Sequence, residues 1–313
     1  MTRNEIAFSA GGQRCSAWHF PAEGGALSGP AGRPAIIMAH GLGGTKDAGL
    51  QPFAERFSAA GLDVLAFDYR GFGESEAEPR QTVSVSRQLH DYRSAMKAAA
   101  QLPGVDPKRL VLWGMSLSGS HAIRAAAGRD DVVAVVAMVP LTSGLAAGRA
   151  ALKQRSVLTL LRWTLAGLAS RLAVAGGRDP LLMPLVSQRG DPGVFTLDGA
   201  YESYLAMAGP TWRNQVDSAV GLELSKVRTS GAAKKLRARL LMQIAEFDRY
   251  VPAHSIAQTA LQGRGEVRRY PCDHFDTWPG GEWFDRVASD QVAFLSRVLA
   301  MPQLISGMPQ RDR

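Results

Sequence analysis

The sequence predicts an α/β protein: a mostly parallel, twisted sheet with helices on both faces and one helical insert. Short apolar runs rich in Val, Ile and Leu alternate with longer stretches of helical character, as in sheets buried on both sides. These runs arrive at a steady rhythm until Pro140, and then about 100 residues pass before the next begins at Leu240. With 313 residues, 46% hydrophobic and 20% charged, the chain is long enough for one large core plus an insertion. Extended disorder, collagen-like and coiled-coil readings lack compositional support.

In chain order, CSAWHF at 15–20 reads as an antiparallel edge strand. The buried strands are AIIMAH at 35–40, DVLAFD at 63–68, RLVLWGM at 109–115, VVAVVAMVP at 132–140, LLMQIAEFD at 240–248 and EVRRY at 266–270. Helices are expected between and after them at 50–60, 82–102, 117–128, 253–261 and 283–300. In the long gap, Val157, Leu158, Leu160, Leu161, Leu165, Leu168 and Leu172 fall on one broad helical face punctuated by Arg155, Arg162 and Arg171, which reads as a helical cap. Such a face suits a lid packed on the active site, although an amphipathic helix of this kind could also touch lipid. Pro180, Pro184, Pro192 and Pro210 break the remainder into pieces, with short helices expected at 199–208 and 211–224. The expected organisation is a core from 1–140 and 240–300, a cap at 141–239, and a loosely held tail at 301–313 with two Pro and no periodicity.

The net charge is +8, and its distribution says more than its total. Residues 149–239 hold 14 Lys/Arg against 6 Asp/Glu, whereas the rest of the chain holds 22 against 22. Scattered Arg on solvated helix faces is the plain explanation, and the Arg-over-Lys bias accompanies abundant Ala and Gly. The functional alternative is that Arg155, Arg162, Arg171 and residues 234–239 attract an anionic acyl donor. Nucleic acid is not an expected partner, since no basic recognition motif or aromatic-basic interleaving accompanies the charge. Cys15 and Cys272 cannot form a disulfide framework, offer no CxxC pair, and leave metal sites unsupported. No uninterrupted run of about 18 apolar residues occurs, and the first residues lack a secretory pattern, so a cytoplasmic protein without stable membrane insertion is expected.

The sharpest chemical signal is Gly114-Met115-Ser116-Leu117-Ser118-Gly119, which follows a buried strand and precedes a small-residue helix. At a sharp strand-to-helix turn the apex residue is strained, and its neighbours two positions away must be small. Gly114 and Ser118 meet that demand, and Ser116 at the apex would present its hydroxyl near the positive end of the next helix. Two further segments lie at strand ends: EFDRYVP with Asp248, and CDHFDTW with His274 just before the last helix. A fourth, His40-Gly41-Leu42-Gly43-Gly44, follows the first parallel strand, and Asp68-Tyr69-Arg70-Gly71-Phe72-Gly73-Glu74-Ser75 follows the second.

The serine turn resembles the nucleophile elbow of the α/β-hydrolase superfamily, with one departure: Ser118 stands where the G-x-S-x-G pattern has its second Gly. The resemblance spans about 35–138 and 240–299. It is nearest to dienelactone-hydrolase-like and Xaa-Pro dipeptidyl-peptidase-like members, including polyketide acyltransferases. Ser116 sets aside the true dienelactone hydrolases, which carry Cys at the apex, and the epoxide hydrolases and haloalkane dehalogenases, which carry Asp. The family order of Ser, then acid, then His implies a triad of Ser116, Asp248 and His274. It also implies an oxyanion hole from the amides of Leu42 and Leu117, and a structural role for the Asp68–Ser75 loop. The implied reaction is acyl transfer from an ester or thioester through an acyl-enzyme, with no metal or organic cofactor.

Competing assignments are weaker on sequence grounds. His90 and His121 lie inside expected helices, His254 opens one, His19 sits on an edge strand, and His40 suits support of the oxyanion loop. Asp273, Asp276 and Glu246 are near enough to compete with Asp248, although Asp276 could tether the histidine loop. Cys272 reads as a small buried hydrophobe. Three functions follow: a serine hydrolase of esters or thioesters, an acyltransferase moving a carrier- or coenzyme A-bound acyl group to an alcohol, and a catalytically silent ligand-binding module. The expected partner is a small apolar acyl substrate, and the sequence leaves the oligomeric state open.

Overall fold

A computed structural model of the chain describes residues 3–300, so the expected tail at 301–313 lies outside the described residues. Strands β1 (Asn4–Ala10) and β2 (Gln13–Phe20) form an antiparallel hairpin, followed by β3 (Arg33–Ala39), α1 (Gln51–Ala59) and β4 (Asp63–Phe67). Next come α2 (Val85–Ala99), β5 (Val105–Met115), α3 (Leu117–Ala126) and β6 (Val132–Met138). The long gap contains α4 (Gly144–Gln154), α5 (Val157–Ala175), β7 (Leu182–Met183), α6 (Ala200–Met207), β8 (Val216–Asp217), α7 (Val220–Leu224) and α8 (Ser230–Ala233). The chain returns through β9 (Arg239–Ala245), α9 (Ala253–Gln262), β10 (Glu266–Tyr270) and α10 (Phe284–Ala300).

Eight strands make one sheet in the order β1-β2-β4-β3-β5-β6-β9-β10, parallel from β4 to β10. Strand β2 pairs antiparallel with β4, so the edge belongs to β1 and not, as the sequence suggests, to β2. In β1 only alternate residues, Ile6, Phe8 and Ala10, turn inward, and a strand half-exposed in this way offers no continuous apolar run. The strands β3 and β4 are buried along almost their whole length, each large aliphatic side chain contributing about 1.5–3 kcal/mol through removal from water.

Topology decides where the chemistry gathers. From β3 the chain crosses to β4 on one side and then to β5 on the other, which makes the carboxyl end of β3 and β5 a switch point where ligands commonly bind. Ala39 faces Gly114 across that pair, so the His40–Gly44 loop and the Ser116 turn leave the sheet side by side. Likewise Ala245 faces Tyr270 across β9 and β10, which brings together the loops carrying Asp248 and His274.

The segment between β6 and β9 departs from expectation in three ways. Helix α4 is unannounced in the sequence because its residues are mainly Gly and Ala. At 211–224 the chain is helical only in α7: before it, the Asn214 amide brackets both the N–H and C=O of Val186, and β8 pairs with β7. Helix α5 points its main apolar stripe outward: Val157, Leu158, Leu161, Leu165, Leu168 and Leu172 are all exposed. Its position is fixed from the other side, where Gly167 passes close to the Ser218 carbonyl and Ser170 Oγ donates to Asp217 Oδ1 at 2.6 Å. The helix is long and apolar enough by composition to cross a membrane, although Arg162 and Arg171 within it break the uninterrupted apolar run.

Candidate active site

Ser116 sits at the junction of β5 and α3 with φ 51° and ψ −117°, the strained conformation that a sharp elbow requires. Its backbone is held on both sides, the N–H donating to Met138 O at 2.9 Å and the carbonyl accepting from Leu141 N at 2.9 Å. Gly114 is required by proximity: a Cβ there would lie 2.3 Å from the Ser118 carbonyl carbon and oxygen. Ser118, the departure from the family pattern, fits because its hydroxyl has partners. It donates to the His40 carbonyl and accepts from Tyr69 Oη at 2.7 Å, joining the elbow to the His40–Gly44 loop.

The loop after β3 closes in from the other side, with Gly41 so near that a Cβ would touch Ser116 Cβ at 3.4 Å. Among the described residues, no acceptor takes the backbone N–H of Leu42 or Leu117, which leaves two donors free beside the serine. His40 supports this loop from within: it is buried, Nδ1 donates to Gly41 O at 2.8 Å, and burial pushes its pKa down, keeping it neutral. Asp68 accepts from Lys46 N at 2.6 Å and Lys46 Nζ at 2.9 Å, while Glu74 also pairs with Lys46. Lys46 is almost wholly buried, an anchor that nothing in the local sequence marks and that ties the loops after β3 and β4 together.

His274 opens a short 3-10 turn, His274–Thr277, capped by Asp273, whose own N–H is held by Asp276 Oδ2 at 2.8 Å. Its Nδ1 meets Asp248 Oδ2 at 2.6 Å, and both side chains are buried. Asp248 Oδ1 accepts from the N–H groups of Tyr250 at 2.8 Å and Val251 at 2.7 Å, so the carboxylate is fixed by its own loop. Burial alone would lower the His274 pKa, but the Asp248 charge and hydrogen bond, with Asp273 nearby, carry it above the ordinary imidazole value. Ser116 and His274 line one cavity, although no hydrogen bond joins them among the described residues; such contacts commonly tighten only when substrate is present.

The competing residues are committed elsewhere. Asp273 binds Arg249, and Glu246 binds Arg269 at the surface. His19 pairs with Asp63, and buried His121 faces Gln88 with its pKa pushed down to about 3 by burial, then by Arg124 and His40. Cys15 and Cys272 are buried free thiols, pushed up to about 12 mainly by burial. No cluster of three metal-ligating side chains occurs among the described residues.

The cavity measures about 420 Å³ and its wall is mainly apolar. The sheet side contributes Leu42, Ser116, Leu117, Leu141, Val251 and His274. Most of the remainder comes from between β6 and β9: the small face of α4, Leu160 and Trp163 of α5, Phe195, and the α7 segment. Of the cations singled out in the sequence, Arg155 alone stands in this wall. It donates to Val194 O at 2.9 Å and Thr196 Oγ1 at 3.0 Å, with its guanidinium 4.1 Å from the Trp163 ring centroid. Arg171 pairs with Glu223 and Arg237 with Asp130, so the basic residues do not converge on one spot.

The parallel sheet, with its serine elbow over the carboxyl ends of the strands, defines the class: this is an α/β-hydrolase fold. Within it, the chain belongs to the Hydrolase_4 family, serine aminopeptidase S33, whose profile matches residues 30–262. The quorum-quenching protein AidA of Acinetobacter baumannii is 33% identical over 269 residues, 85% of this chain and 87% of that protein. Thiohydrolase aneE of Aspergillus aculeatus is 37% identical over 162 residues, 52% of this chain and 50% of that protein. Polyketide transferase grgF of Penicillium sp is 30% identical over 191 residues, 61% of this chain and 60% of that protein. The solved structure of α/β hydrolase GrgF from Penicillium sp. sh18 shares the fold at a TM-score of 0.78 with 22% identity, covering 96% of this chain and all of that one.

Proposed function

We propose that this α/β-hydrolase opens a carboxylic ester or thioester through an acyl-enzyme, using Ser116, Asp248 and His274, with 141–239 as a cap on a core of 1–140 and 240–300. The observation that carries this reading is the placement of the strained Ser116 in the same cavity wall as a histidine whose other ring nitrogen is bound by a buried carboxylate. His274 Nε2 takes the Ser116 proton as Oγ bonds to the acyl carbon. The oxygen that becomes negative is received by the Leu42 and Leu117 amides, and the imidazolium, steadied by Asp248, returns the proton to the departing alcohol or thiol. Water then attacks the acyl carbon with His274 again as base, Ser116 leaves, and an acid is released.

A second reading follows from the likeness to polyketide transferase grgF: an alcohol in place of water would accept the same acyl group. A carrier- or coenzyme-bound thioester as donor is the finer form of this reading, supported by the presence of Arg155 in the cavity wall, a cation that an anionic portion of the donor would meet. Product analysis with and without an acceptor alcohol separates hydrolysis from transfer. For the shared step, Ser116→Ala should abolish labelling by a fluorophosphonate and lower turnover of a p-nitrophenyl ester by about a thousandfold or more. Equal labelling of both proteins would overturn the nucleophile assignment.

A further inference from the structure

Helix α5 carries two faces with different partners. Leu160 and Trp163 look into the cavity, while Val157, Leu158, Leu161, Leu165, Leu168 and Leu172, each between 47% and 75% exposed, face solvent. At 3.6 residues per turn these six positions fall within about 100° of arc and run for about 22 Å along the axis. A continuous apolar stripe of this kind calls for an occupant. The bond from Ser170 to Asp217 and the close passage of Gly167 beside Ser218 hold the stripe outward, so it is a fixed surface.

Charge selects among occupants. From 149 to 178 the chain has six Lys/Arg and no Asp or Glu. Arg162 and Arg171, the latter paired with Glu223, stand on opposite flanks of the stripe, and exposed Arg149, Lys153 and Arg178 lie beyond its ends. A second copy meeting this face about a two-fold axis would set these cations against themselves. An anionic lipid surface meets both requirements, taking Leu side chains at its acyl boundary and Arg at its headgroups.

We propose that α5 docks the protein peripherally on anionic lipid, through the stripe and its cationic flanks. The proposal is independent of the hydrolytic reading, since it concerns binding alone. Flotation with phosphatidylglycerol vesicles should recover at least about tenfold more protein than with phosphatidylcholine, and added salt should reduce recovery. The triple variant Leu161→Glu, Leu165→Glu, Leu172→Glu replaces no cavity-lining residue. It should lose flotation while keeping the wild-type circular dichroism spectrum, and Ser116→Ala should float like wild type. Should the triple variant fold poorly, Leu165→Trp reports separately: brominated phosphatidylglycerol should quench its added fluorescence. Failure of wild type to float, unchanged flotation of a folded triple variant, or absence of quenching would overturn the proposal. So would sedimentation showing a wild-type dimer that the triple variant converts to monomer, which would assign the stripe to a second copy.

Discussion

Two oxygen atoms of Asp248 have separate work: Oδ1 is held by its own loop and Oδ2 by His274, so the imidazole is oriented by a carboxylate that cannot swing away. The pKa of His274 is raised because this charge outweighs burial, and a histidine acts as base only when neutral. Turnover should therefore rise with pH through a value above the ordinary imidazole pKa of about 6.5. In Asp248→Asn, burial remains without the opposing charge, so the acid limb of kcat/KM should move downward and the plateau should fall by about 10⁴-fold. A pH profile of both proteins checks this, and an unmoved limb would remove Asp248 from the role. Ser116, Asp248 and His274, the proposed triad, stood out in the sequence because each lies at a strand end within a short motif. The partners of Ser118 and the burial of Lys46 were not legible, because they are contacts between loops distant in sequence, visible only once β3, β4 and β5 lie side by side.

At the scale of elements, the parallel strands announced themselves through continuous apolar runs, and the helices between them through their spacing. Helix α4 did not: Gly144, Ala147, Gly148 and Ala151, at the i, i+3, i+4, i+7 spacing of one helix face, line the cavity with almost no apolar signal. Small side chains there leave room for substrate. Ala151→Trp should fill part of that room and lower kcat/KM for long-chain p-nitrophenyl esters by about tenfold or more while sparing the acetate. A uniform loss across chain lengths, measured over a homologous ester series, would place Ala151 outside the acyl path. Helix α5 teaches a related point. Periodicity showed that a stripe exists, but the direction it faces depends on which side is anchored, here by Gly167 and Ser170.

For the molecule as a whole, the excess positive charge between 149 and 239 coincides with the segment where the sequence could not foresee the path of the chain. Its helices are joined by exposed loops around Gly177 and Gly190, with Arg178 and Arg189 on the surface. Limited trypsin digestion should cut after these two residues before any site in the sheet, as mass spectrometry of early fragments would show. First cuts within 33–138 would contradict this ordering of local stability. The division runs deeper than protease sensitivity. Every group assigned to bond-making hangs from a sheet end, whereas most of the cavity wall comes from one uninterrupted stretch of chain. Replacing that stretch would change what fits without disturbing what reacts, so a descendant of this scaffold could acquire a new diet while inheriting its cutlery unaltered.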